Sequence, residues 1–166
     1  MSVDSTAVDP LARLRFLVEV VELEAKHLTL TDQRLFSQPM TAERAAALTA
    51  DVQLAEQVDA FVVRFGRLQD TVADKLLPTL LEHVAEPLGT VIDNLARAER
   101  LGWLRSVDDW LTVRKLRNRM VHEYVRDLDV LATSLSAAHS AVPMLLAAVS
   151  ALTAHARRRF ELANDG

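Results

Sequence analysis

Apolar residues return every three or four positions along nearly the whole chain, and that spacing leaves little room for anything but helices. Leu54, Val58, Phe61, Phe65, Leu68, Val72 and Leu76 form one stripe, and Leu128, Leu131, Leu135, Ala138, Val142, Leu145, Val149, Leu152 and Ala156 form another. Each marks a long amphipathic helix with one face turned to a core. No segment alternates with the period of two that a half-buried strand requires. With only four Gly and five Pro among 166 residues, the chain has few breakers to interrupt such helices. The fold class that follows is all-α: an up-and-down helical bundle of four to six helices, with a long C-terminal helix.

The length suits a single domain, able to bury about 70% of its unfolded surface. No Gly/Ser-rich linker divides it, so residues 11–166 are expected to form one unit behind a disordered tail over residues 1–10. Asp9-Pro10 supplies a cap and a first-turn proline for a first helix running to about Lys26. Thr29 to Gln38 reads as a short second helix, and Thr41 caps another turn or two. The long helix after Asp51 is expected to kink or end at Pro78. Glu86-Pro87 then opens a helix closed by Gly102. Ser106, with Asp109 three residues on, starts the next. Asp127 caps the last, which Pro143 should bend and whose Arg157-Arg158-Arg159 complements the C-terminal dipole.

There is no cysteine, hence no disulfide or thiolate chemistry, which fits a reducing cytoplasm. No basic region followed by an apolar run opens the chain, and the apolar stretch 141–156 is broken by Pro143, Ser150, Thr153 and His155. A soluble protein without a membrane partner is the expectation. Glu24-x-x-His27 has the spacing of a di-metal bundle, but no second Glu-x-x-His exists, so no metal or cofactor is expected. Phosphate-loop, nucleophile-elbow and zinc-protease motifs are absent. His27, His83, His139 and His155 are scattered and read as surface or partly packed; Trp103 and Trp110 read as core.

Charge singles out one region. Residues 97–126 carry eight Arg/Lys against four acids, about +4, whereas the rest of the chain is about −8. Only one face could therefore attract phosphate. Within it, residues 114–124 place Arg114, Asn118 and His122 on one helical stripe beside the apolar arc of Trp110, Val113, Met120, Val121 and Tyr124. Arg117 falls inside that arc, where a cation needs a partner. That partner is either a phosphate or a carboxylate of the long middle helix, Asp70 or Asp74.

The Arg117-Asn118-x-x-x-His122 pattern, continued as Arg-Asn-Arg-Met-Val-His-Glu-Tyr, resembles the Arg-x4-His-x-Tyr signature of the HEPN superfamily. Within it the likeness is to toxins paired with a minimal nucleotidyltransferase. Phe61 to Leu81 and Trp110 are similar to small prokaryotic members, so the likeness covers roughly residues 51–126. The resemblance implies a metal-independent endoribonuclease, cleaving RNA by attack of its own 2′-OH at a composite site across a homodimer. It implies Arg117, His122 and Asn118 as catalytic residues, with Arg114 and Arg119 extending an RNA-binding track. It also implies a nucleotidyltransferase antitoxin that adds AMP to Tyr124.

The chemistry asks for a proton acceptor, a proton donor and a cation at the phosphorane, which imidazole and guanidinium supply. On a straight helix, however, Arg117 and His122 point about 140° apart, so a dyad or a local unwinding must reconcile them. Two other readings use the same residues. One is a non-catalytic subunit presenting nucleotide or substrate to a separate nucleotidyltransferase. The other is a plain interaction bundle.

Overall fold

The computed structural model describes residues 9–123 and 127–162. The expected tail therefore lies almost wholly outside the described residues, as does Tyr124. Seven α-helices follow in order: α1 (Ala12–Leu35), α2 (Ala42–Ala46), α3 (Val52–Thr71), α4 (Leu77–His83), α5 (Val91–Arg100), α6 (Val107–Glu123) and α7 (Leu128–Phe160). A π-helical segment, Val72–Leu76, fuses α3 and α4 into one rod, so the bundle has six helical rods and, among the described residues, no strand.

The long helices form a four-sided bundle in which α1 packs on α3 and α7, and α6 closes the opposite corner against the same two. Cross-links fix the directions. Thr71 bonds Glu24 and Arg64 bonds Thr31, so α3 runs antiparallel to α1. Glu22 grips Arg157 and Asp32 takes His139, so α7 does the same. Phe61, Phe65, Trp110 and a dozen leucines fill the interior, and burial of that apolar surface is what holds the rods together. By length and composition α7 is apolar enough to cross a membrane. Here its stripe from Leu131 to Ala156 lies in the core.

Three sequence expectations need correction. The first helix does not stop at Lys26; α1 continues unbroken through Thr29 to Leu35. The hydroxyls of Thr29 and Thr31 donate back to the carbonyls of Ala25 and His27 inside the helix, and Leu28 is fully buried, so nothing favours a break. The true stop is tertiary: the Arg44 guanidinium donates to the carbonyl of Leu35, the last residue of α1, and to that of Gln38 beyond it. Of the two outcomes expected at Pro78, a kink or an end, the end does not occur. Proline has no N–H and its ring crowds the carbonyl four residues back. The π segment just before it absorbs the misfit, with the Leu77 N–H reaching back to the carbonyl of Val72. Third, α5 opens at Val91 rather than at Pro87, because Thr90 and Asp93 form a reciprocal capping box.

Other ends follow their local signals. Thr41, Asp51 and Asp127 accept backbone N–H groups as N-caps. Gly102, at φ 77°, closes α5 in a Schellman turn: its own N–H reaches Glu99 and the N–H of Trp103 reaches Ala98. The same turn closes α4, but there Ala85 occupies the left-handed position at φ 58°. A methyl group there costs about 1 kcal/mol. Ala85→Gly is therefore expected to raise stability by about 0.5 kcal/mol, net of the added chain entropy. Urea unfolding checks the sign; destabilisation would show that the turn is held by something other than backbone conformation.

Candidate functional site

Helix α6 is anchored along one side and bare along the other. Ser106 Oγ accepts the N–H of Asp109, and a Glu99 carboxylate accepts that of Val107, which fixes the start of the helix. Trp110, Val113 and Met120 are buried to within 1% and orient it. Arg114, Lys115, Asn118, Arg119 and His122 are then forced outward, and all five are exposed. The stripe of Arg114, Asn118 and His122 expected at the edge of the apolar arc thus lies in solvent. Val121, expected within the arc, is 54% exposed and does not join the core.

Arg117 behaves differently. Its side chain lies across Gly66 of α3, where an added Cβ would come 3.0 Å from Nε and 3.1 Å from Cγ. Gly66 is thus a notch that admits the guanidinium stem. At the tip, Nη2 donates to Asp70 Oδ2 at 2.9 Å and Nη1 donates to Asn118 Oδ1 at 3.4 Å. Asp70, not Asp74, is the carboxylate that holds it. With the Arg117 side chain 34% exposed and that of Asp70 50% exposed, this pair sits in screened surroundings and adds at most about 1 kcal/mol. Its effect is to point the guanidinium.

The pair borders a cleft of about 400 Å³ between α3 and α6, walled by Val62, Val63, Gly66 and Val121. Arg67, Lys75 and Asp74 stand at its charged rim. His122 does not line this cleft, and among the described residues it has no hydrogen-bond or ion-pair partner. Arg119 turns to the other side, into a depression of about 250 Å³ against α7 with Asp129, Val130, Thr133 and Ser134. One chain therefore brings Arg117 and Asn118 into contact, whereas His122 and Arg114, on the same stripe as Asn118, do not line the cleft, and Arg119 faces α7. Sequence reasoning missed Gly66; a glycine inside an otherwise regular amphipathic stripe was the available signal.

Behind the cleft lies Glu24. Thr71, which also lines the cleft, donates its hydroxyl to Glu24 Oε1, whereas Oε2 is buried with no hydrogen-bond partner. Burial raises this carboxyl above the ordinary value of 4.5, outweighing the Thr71 hydrogen bond and the fields of Arg67 and Lys75. A raised folded-state pKa means that the folded form favours the proton, so stability falls as pH rises from the unfolded value through the folded one. Glu24→Gln is expected to stabilise the protein at pH 7 by up to about 1 kcal/mol, after discounting for solvent. Below pH 4.5 that gain should vanish. Thermal melts at pH 7 and pH 4 read the difference directly; an equal gain at both would rule out the charge as its cause.

The remaining histidines are mostly tied into structure. His83 bridges the carbonyls of Thr79 and Pro10. His139 pairs with Asp32 at 2.7 Å and stacks on Phe36, and His155 packs on Trp103. His27 is exposed, apart from the Thr71 contact of Glu24. Among the described residues no cluster of three or more His, Asp and Glu side chains is placed to hold a metal ion. The chain matches no family model, no curated protein and no solved structure.

Proposed function

We propose that this protein is a HEPN-type, metal-independent endoribonuclease whose cleavage site is shared by two protomers, Arg117 of one lying beside His122 of the other. The observation that carries the reading is the division within one chain. Arg117 is aimed by Asp70 and Gly66 at the edge of the α3–α6 cleft, while His122, one and a half turns on, stands outside that cleft and exposed. Groups suited to proton transfer and to phosphate binding thus leave the same helix in different directions without meeting, and a second copy can unite them. Exposed Val121 between them supplies apolar surface for the contact.

In the shared site His122 takes the proton of the 2′-OH or returns one to the departing 5′-oxygen. Arg117 stabilises the phosphorane by two parallel hydrogen bonds, exchanging its Asp70 contact for the phosphate, and Asn118 orients the guanidinium it already touches. Exposed Arg114 and Arg119 guide the flanking strand. In the cell such an enzyme acts as the cytoplasmic toxin of a toxin–antitoxin pair. A minimal nucleotidyltransferase then silences it by placing AMP, a bulky anion, on Tyr124, two residues after His122 in sequence.

The test is complementation. Arg117→Ala and His122→Ala should each be inactive on RNA, yet mixing the two should restore part of the activity through heterodimers that keep one intact Arg/His pair. Mixtures as inactive as their components would reject the shared site. The Asp70 contact favours a second reading, a binding subunit in which Arg117 stays occupied and a partner nucleotidyltransferase does the chemistry. It predicts no RNA cleavage by the wild type and loss of partner activity in Arg117→Ala.

A further inference from the structure

The cleft between α3 and α6 changes character along α3. On one side of Gly66 its wall is Val62 and Val63, whose side chains carry no donor or acceptor. On the other side come Arg67, Thr71, Asp74 and Lys75. Arg67, Asp74 and Lys75 are exposed, and among the described residues none of their side chains has a hydrogen-bond or ion-pair partner. The π turn of Val72–Leu76 presents the consecutive pair Asp74 and Lys75 to the same cleft.

Asp74 sets the ligand. A cleft that took phosphate alone would be weakened by this anion, whose charge opposes what Arg67, Lys75 and Arg117 attract. A carboxylate here helps only a ligand that brings N–H donors together with its negative charge. Nucleotides carry both, and guanine alone among the four RNA bases presents two adjacent donors, N1–H and the N2 amino group, on its Watson–Crick edge. The two oxygens of a carboxylate accept them in parallel, as they accept the paired N–H groups of a guanidinium. Uracil sets its single N3–H between two carbonyls. Adenine and cytosine set one amino group beside a bare ring nitrogen. In each of these a carboxylate meets a repelling lone pair.

We propose that the charged end of this cleft binds a guanine nucleotide of the substrate RNA, with Asp74 accepting from the guanine edge and Arg67 and Lys75 holding the adjoining phosphate. That the strand is RNA rests on the ribonuclease function proposed above, which puts the scissile phosphate on Arg117. Asp74 lies one turn, about 6 Å along the axis, beyond the Asp70 carboxylate that holds Arg117, so a strand whose phosphate replaces Asp70 runs past it. Cleavage then falls beside guanine, and the base on the Val62–Val63 side goes unread.

Two measurements on the full chain test the subsite. The first is equilibrium binding of nucleoside 5′-monophosphates, which needs no cleavage. Guanosine monophosphate should bind at least tenfold more tightly than the adenosine, cytidine or uridine compounds. Inosine monophosphate, which lacks the N2 amino group, should lose most of that margin. Asp74→Asn should bring guanosine monophosphate to the level of the others, whereas Lys75→Ala should weaken all of them by a similar factor. Both positions are exposed, so both variants should keep the helical content of the wild type. The second measurement is cleavage of oligoribonucleotides that differ at one position. The wild type should cut beside guanine at least tenfold faster in kcat/KM than beside the other bases, and Asp74→Asn should lose that preference. A guanine preference missing from both measurements, or one that survives Asp74→Asn, overturns the subsite. The two proposals fail separately. Cleavage that needs Arg117 and His122 but ignores the neighbouring base removes the guanine subsite alone. Asp74-dependent binding of guanosine monophosphate by a chain that cuts no RNA removes the ribonuclease and leaves the subsite.

Discussion

His122→Ala is expected to reduce RNA cleavage by about 10² to 10⁴, the range that a positioned proton-transfer group contributes, while leaving stability within about 0.5 kcal/mol. The two effects separate cleanly because the imidazole is exposed and bonds to nothing among the described residues, so its removal leaves no cavity and no orphaned partner. Arg117→Ala should cost a comparable factor, about 10² to 10³, through the lost phosphate cation. It should also cost up to about 1 kcal/mol of stability, because Asp70 then loses its pair. Arg117→Lys should not rescue it, since an ammonium cannot hold a phosphate through two parallel bonds. Steady-state cleavage of a fluorogenic RNA, with growth of cells expressing each variant, measures both. Cleavage undiminished in the two alanine variants would remove the chemical basis of the proposal.

Trp110→Ala is expected to destabilise the fold by about 3–5 kcal/mol, the range for deleting a large buried aromatic. For a chain of this size that corresponds to a fall in Tm of roughly 10 °C. Trp110 is 1% exposed and sits in the first turn of α6, where it fixes the rotation of the whole helix. Its loss should therefore also blunt activity, because the direction of every outward residue depends on that rotation. Urea unfolding followed by far-ultraviolet circular dichroism tests it. A cost under 1 kcal/mol would mean that α6 is held in register by other contacts, with Val113 and Met120 the next to examine.

Much of this architecture could be read from the chain alone, because the signals are local. Heptad-like spacing marks which side of a helix is buried, and Thr41, Asp51, Ser106 and Asp127 satisfy N–H groups two or three residues away. Gly102 adopts a left-handed backbone angle that its missing side chain makes cheap. Such features need no knowledge of what lies across the core. The existence of α6 and the core placement of Trp103 and Trp110 follow from spacing of this kind.

What the tertiary structure decided were the choices between partners distant in sequence. Arg117 had two carboxylates on offer, and Asp70 won because Gly66, one turn before it, lets the guanidinium stem lie flat on α3. Arg44 ends α1 from nine residues away, and the π turn before Pro78 absorbs a break that local rules would place there. Val121 looked like core by period, yet it stands in the open because α3 and α6 part around a cleft at that level. Periodicity gives the direction in which a side chain leaves its helix; whether another helix is there to meet it depends on how the rods pack, and that is a property of the whole bundle.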